Sequence, residues 1–241
     1  MPPVSGRTPV SNRLIARLPA ADRKRLLARC TDVDLSLGHE LAQPGDRIRH
    51  VYFPTGGCVS LITPANGTSS VEVGLVGNEG MHGISLALGI DVSPLHSLVQ
   101  GAGPALRMTA HAFRSEYAAS PALRRDLNRY LYVLMSQLGQ SAACTRFHVI
   151  EARLARWLLM THDRAHSDTF RITQKFLAWM LGVRRVGITN AAGDLQRRKL
   201  IRYVRGSITV IDRRGLEAAA CACYQADKST YQKMLGKPAA R

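Results

Sequence analysis

Acidic residues are scarce in this chain. Only 17 Asp and Glu stand against 33 Lys and Arg in 241 residues, a formal charge of +16. A surplus of that size suits a polyanionic partner better than a cationic one. No run approaches the roughly 18 apolar residues that a membrane-spanning helix needs, and the start, Met-Pro-Pro-Val-Ser-Gly-Arg, lacks the apolar stretch of a secretory signal. The expected compartment is therefore the cytoplasm, with no membrane partner. Cysteine is sparse too. Cys30, Cys58, Cys144, Cys221 and Cys223 are odd in number and scattered, which argues against a disulfide framework. Cys221 and Cys223 fall in Gly-Leu-Glu-Ala-Ala-Ala-Cys-Ala-Cys-Tyr, a helical pattern in which an offset of two sends side chains to nearly opposite faces. They read as small buried thiols rather than a chelating pair. Eight histidines show no His-x-His, and the one His-x-x-x-His spacing, His162 and His166, is not read as a metal site. The expectation is thus no metal, no cofactor and no enzyme. A cupin-type enzyme would need a His-x-His with a Glu and a further His, which the strand-rich region lacks.

What is present is 46% hydrophobic and 21% charged residues, an ordinary balance for two modest domains. Residues 11 to 30 give an amphipathic helix interrupted at Pro19. From about 33 to 109 the period is two, and short strand-like runs alternate with turn dipeptides, Pro44-Gly45 and Asn66-Gly67 foremost. That spacing implies a small antiparallel barrel or roll. Helical pattern resumes near His111 and runs from about Pro121 to Thr161. Within it Leu127, Leu131, Leu134, Leu138, Ser141 and Thr145 follow the spacing of a two-stranded seam. Such a stripe could instead pack on its own barrel. A helix of this length has more side than one small barrel covers, so the seam is read as a dimer interface. Asp163 to Thr169, small and polar, reads as a hinge.

Residues 172 to 205 read as helix, glycine turn, helix and hairpin. Thr173 is placed to cap a short helix with an apolar side of Leu177, Met180 and Leu181, and Gly182 supplies the left-handed residue that ends it. The next helix buries Ile188, Ala191, Ala192 and Leu195 and turns Arg184, Arg185 and Asn190 away, with Gly187 and Thr189 at the same exposed start. Ala178 permits the close crossing of a helix-turn-helix. Two alternating runs around Arg205-Gly206 form a hairpin wing whose Arg202 and Arg205 can reach phosphates. Asp212 caps a final helix. A helical hairpin with a solvated basic face is the bland alternative. Against it, residues 166 to 241 hold 15 Lys and Arg and 5 Asp and Glu, so most of the surplus charge surrounds this unit.

Roll, long helix and winged helix in that order resemble the Crp/Fnr superfamily of bacterial transcription regulators. The resemblance rests on Gln-Pro-Gly-Asp (43 to 46), Val-Tyr-Phe-Pro (51 to 54), Gly-Cys-Val-Ser-Leu (57 to 61), Gly-Asn-Glu-Gly-Met-His-Gly (77 to 83), Ile-Thr-Gln-Lys-Phe-Leu-Ala (172 to 178), Leu-Gly-Val-Arg-Arg (181 to 185) and Leu-Gln-Arg-Arg-Lys-Leu-Ile (195 to 201). It implies an α+β fold: a cyclic-nucleotide-binding-like β-roll over 1–120, a dimerisation helix and connector over 121–162, and a winged helix-turn-helix over 163–241. The implied partners are double-stranded DNA, a second copy of the chain and RNA polymerase. The family's cyclic-nucleotide cassette begins Gly-Glu-Leu and ends with a phosphate-binding arginine. Here Gly83-Ile84-Ser85 and Leu95-His96-Ser97 stand at those places, so both charged contacts are missing and cyclic AMP is not expected to bind. The cysteine cluster of the iron–sulfur branch is missing as well, since Cys30 stands alone near the start, and no haem axial pair can be chosen from His39, His50 and His82. Where the family often reads DNA with Arg-Glu-x-x-x-Arg, this chain has Arg185-Val186-Gly187-Ile188-Thr189-Asn190. That keeps a guanine contact, removes a cytosine contact and offers an adenine contact. The function implied is a homodimeric regulator whose roll senses an unidentified signal or none. The competing reading is a cyclic-nucleotide or other small-molecule receptor acting through a protein partner.

Overall fold

The computed structural model describes residues 12–65, 70–165 and 167–236. Helix α1 (Arg13–Ala16) is opened by Asn12, whose side chain accepts from the amides of Leu14 and Ile15 and donates to the carbonyls of Pro54 and Gly80. Pro19 then separates it from α2 (Ala20–Leu27), as its ring requires. Seven strands follow: β1 (Thr31–Leu35), β2 (Glu40–Ala42), β3 (His50–Pro54), β4 (Cys58–Pro64), β5 (Ser70–Val76), β6 (His96–Gly101) and β7 (Gly103–Thr109). They form two antiparallel sheets in the orders β1-β7-β3 and β2-β6-β4-β5. This is the roll that the alternating pattern predicts. Val51 and Phe53 point one way from β3 into an apolar cluster with Met108, Phe113 and Leu127, whereas Val59, Leu61 and Val99 line another with Leu35. The Asn66-Gly67 turn lies outside the described residues, although Pro64 and Ser70 on either side of it pair.

After α3 (Ala110–Ala119), Ser120 caps α4 (Pro121–Phe147) by accepting from the Leu123 amide at 3.0 Å, with Pro121 in the first turn where its missing N–H costs nothing. The expected unbroken helix to Thr161 is divided. His148 is extended, and α5 runs from Ile150 to Ala165. The two halves bury different partners, α4 against α9 (Cys223–Leu235) and α5 against α7 (Arg185–Arg197) and α8 (Arg213–Ala219), so the chain turns between them. The expected hinge segment, Asp163 to Thr169, is shortened from both ends. Asp163 sits inside α5, held by Arg213 at 2.6 Å and by the Tyr224 hydroxyl at 2.8 Å, and Thr169 starts strand β8 (Thr169–Arg171). With β9 (Ile201–Val204) and β10 (Ser207–Val210), β8 makes a small sheet in the order β8-β10-β9. The final helix is likewise two, α8 and α9, with Cys221 between them.

The largest apolar cluster is shared. Leu154, Leu158, Leu177, Ile188 and Leu195 pack together in the C-terminal unit, and the same cluster includes Cys58, Ile62, Leu75 and Leu98 of the roll. Helix α6 (Gln174–Leu181) docks on β5, and the Ser70 hydroxyl donates to the Trp179 carbonyl at 3.4 Å.

Candidate nucleic-acid interface

Thr173 opens α6, its hydroxyl accepting from the Phe176 amide at 3.1 Å, and Gly182 closes it at φ +62. Leu177, Ala178, Met180 and Leu181 are all buried, as the spacing predicts. Arg184 is the residue before α7 and Arg185 its first. Ile188, Ala191, Ala192 and Leu195 are turned into the core, which leaves Arg184, Arg185, Val186, Thr189 and Asn190 exposed, while Gly187 is half-exposed and faces Ile150 of α5 rather than the open surface. No side chain caps the start of α7, and the N–H groups that open a helix without an intrahelical partner favour an anion.

The wing stands beside this helix. Its turn, Arg205-Gly206, has φ of +49 and +75, the paired left-handed conformation of a two-residue hairpin whose twist matches that of its strands. Arg202 and Arg205 are exposed on it. Tyr203 is anchored beneath, its hydroxyl donating to the Ile172 carbonyl at 2.8 Å, and burial raises its pKa above the ordinary tyrosine value. An open groove lined by Thr173, Gln174, Lys175, Arg185, Tyr203 and Arg205 joins α6, α7 and the wing. Of the expected contact residues the groove brings Thr173, Arg185 and Arg205 together, with Thr189 linked to it through Gln174. Arg184, Asn190 and Arg202 lie on the exposed surfaces that flank it.

Two members of this surface escape sequence reasoning. The Gln174 carbonyl oxygen accepts from the Thr189 hydroxyl at 3.0 Å and from Arg185 Nε at 3.5 Å, which steers the arginine from the neighbouring helix. Lys175 adds a cation beside it. Both follow the Thr173 cap directly, so their place in the first turn of α6 was the available signal. Among the described residues Lys175, Arg184, Arg185, Arg202 and Arg205 form no ion pair, whereas Arg197, the last residue of α7, and Arg198 just after it are held by Asp194 and Glu151. Three of these five cations, Lys175, Arg185 and Arg205, line the groove itself.

The stripe on α4 faces two ways. Leu127 is fully buried in the roll's own core and Leu134 packs against the roll's inner sheets, while Leu131 and Leu138 are half-exposed. The most exposed apolar side chains of the helix are Phe147 at 77%, in its last turn, Met135 at 68% and Tyr132 at 56%. The outward line is therefore Leu131, Met135, Leu138 and Ala142, again in 4-3-4 spacing but rotated from the one read in the sequence. The reason is that the roll covers more of α4 than the pattern alone could show.

The residues aligned with a nucleotide cassette are placed apart. Gly83, at φ +86, opens a single turn of 3-10 helix (Ile84–Leu88) whose Ile84 packs with the Val51 cluster, and the Ser85 hydroxyl has no partner among the described residues. Leu95 packs with the Val59 cluster. His96 and Ser97 are buried on β6, and the His96 ring lies 6.0 Å from that of Trp179 on α6. None of the six lines the cavity of about 320 Å3 that opens between the roll, α4, α5 and α9 and is bordered by Glu79, Tyr130, Gln137, Arg164 and Asp227.

Residues 152–219 match the Crp-like helix-turn-helix domain. No curated protein matches the chain. In three dimensions it is similar to a protein assigned to the Crp/Fnr family of transcriptional regulators from Eubacterium rectale, with a TM-score of 0.66 at 16% identity over 86% of this chain and 96% of that one. It is similar also to FixK2 from Bradyrhizobium japonicum, with a TM-score of 0.65 at 12% identity over 80% of this chain and 98% of the other. A third, a Crp/Fnr-family transcriptional regulator from Thermus thermophilus, gives a TM-score of 0.64 at 20% identity over 79% and 98%. The architecture is that of these regulators: an N-terminal β-roll, a long helix and a C-terminal helix-turn-helix with a wing. No helix among the described residues is long and apolar enough to cross a membrane.

Proposed function

We propose that this chain, a Crp/Fnr-type transcription regulator with a helix-turn-helix DNA-binding domain, binds a two-fold symmetric operator as a homodimer joined along the outward line of α4. Helix α7 enters the major groove by its start. Arg185 donates to guanine, with Gln174 limiting its rotamers, and Asn190 pairs with adenine farther along the same face. Val186, 63% exposed and unable to accept a hydrogen bond, takes an apolar contact such as a thymine methyl. Lys175, Arg184, Arg202 and Arg205 hold phosphates on either side.

The observation that carries this reading is the coincidence, on one face, of the α7 start, the wing and five cations without carboxylate partners. The alternative, a small-molecule receptor working through a protein partner, would use the 320 Å3 cavity but would leave that face without a role. Selection of bound sequences from a random duplex pool distinguishes them. The expected product is a palindrome with half-site centres about one helical turn, roughly 34 Å, apart. Recovery of no enriched sequence, or of an unpaired half-site, would reject the reading.

A further inference from the structure

Three cysteines and a histidine, far apart in sequence, converge where α4 gives way to α5. Cys144 lies in the last turn of α4 and His148 at its end. Cys221 occupies the turn between α8 and α9, and Cys223 begins α9. The expectation that Cys221 and Cys223 diverge fails here, because α8 stops at Ala219 and the turn at 220–222 swings both thiols to one side. Cys144 Sγ is 3.5 Å from Cys221 Sγ, Cys223 Sγ is 3.5 Å from His148 Nδ1, and all four donor atoms lie within 4.8 Å of one another. A zinc ion with Zn–S bonds of about 2.3 Å spaces tetrahedral ligands about 3.8 Å apart. A disulfide would require a separation of about 2.05 Å.

The surroundings are those of an anionic centre. Gln140 Nε2 donates to Cys223 Sγ at 2.9 Å. Arg153 and Arg156 of α5 line the same small void as Cys144, and both guanidinium side chains are buried. Arg156 has Asp227 at 2.6 Å, but Arg153 has no carboxylate partner among the described residues. A buried cation needs counter-charge. Three thiolates and a neutral imidazole around a divalent ion carry one net negative charge, which would supply it.

We propose that Cys144, His148, Cys221 and Cys223 form a tetrahedral zinc site that clamps the end of the long helix to the α8–α9 turn. Binding releases the thiol protons to solvent and involves no redox change. The clamp joins the helix carrying the outward seam to the unit carrying the reader, at the corner where the chain turns between them. His148 is half-buried, so the site borders solvent and a metal can enter.

The test is made on the reduced full chain. Elemental analysis should find one zinc per chain, and Co2+ added to the demetallated protein should give the visible bands of a tetrahedral thiolate complex together with sulfur-to-cobalt charge transfer. Cys221→Ser with Cys223→Ser should lose both signals, whereas Cys30→Ser should keep them. If the double variant fails to fold, the wild-type stoichiometry and cobalt spectrum still decide. Substoichiometric zinc with no thiolate–cobalt spectrum would overturn the site, as would a spectrum unchanged in the double variant. A Cys144–Cys221 disulfide in protein prepared without reductant, followed by no cobalt complex after reduction, would show a redox pair instead. None of these readouts depends on DNA, so failure of the operator reading leaves the metal test intact.

Discussion

Arg185 and Arg205 both line the groove, yet they should fail differently when removed. Arg185 starts the reading helix and is steered by Gln174, so Arg185→Ala should cost about 1–3 kcal/mol on the selected operator and little on random duplex. Arg205 lies at the tip of the wing. Arg205→Ala should weaken both duplexes nearly equally and flatten the dependence of log affinity on log salt by about one unit per subunit. Equal losses for Arg185→Ala on both duplexes would remove α7 from the reading role. Two groups in the roll make a different prediction. Burial lifts the Glu72 carboxyl, beside the Ser60 hydroxyl at 2.6 Å, from an ordinary 4.5 to about 7, and lowers the His82 imidazole from 6.5 to about 4. Between about pH 4.5 and 6.5 the folded state therefore holds an extra proton at Glu72 and lacks one at His82. Stability falls with rising pH through the first and rises through the second, so the two slopes oppose. Glu72→Gln removes the falling slope, so denaturant midpoints should climb with pH across that window more steeply than in the wild type. A midpoint as flat as the wild type's would contradict the assignment.

At the scale of elements, α6 depends on its cap and α4 on its outward line. Thr173→Ala leaves the Phe176 amide without its acceptor and should destabilise the winged unit by about 1 kcal/mol, measurable by denaturant unfolding. On α4, Leu131→Lys with Leu138→Lys places charge on half-exposed positions that the roll does not fill. Light scattering should then report a monomer with unchanged circular dichroism, and tight operator binding should disappear. Leu127→Lys, by contrast, buries a charge in the roll core and should unfold the domain. If the double variant remained dimeric, the contact between copies would have to lie elsewhere.

Across the whole molecule, the shared apolar cluster ties the winged unit to the roll, so a ligand in the 320 Å3 cavity would touch elements of both, β5 and α4 on one side and α5 and α9 on the other. Cyclic AMP is not expected to be that ligand. Ile84 faces an apolar cluster and Leu95 another, and neither position offers the carboxylate or guanidinium that a ribose and a cyclic phosphate need. Calorimetry should show no saturable micromolar binding of cyclic AMP, and operator affinity should be the same with and without it.

The sequence by itself determined the order of the units and much of the reader. Periods of two and then 3.6, the Thr173 cap, the Gly182 stop, the Arg205-Gly206 turn and the buried face of α7 are short-range features, each set by a residue and its near neighbours. Tertiary structure decided which face each long element buries. Which leucines of α4 turn inward depends on how far the roll reaches along it, and the break at His148 depends on α4 and α5 having different partners, neither of which a helical repeat records. The same holds for the cysteines. A pattern rich in alanine continues as helix on propensity alone, yet packing of α8 on α5 and α9 on α4 overrides it at 220–222, and only that turn brings Cys221 and Cys223 to Cys144 and His148.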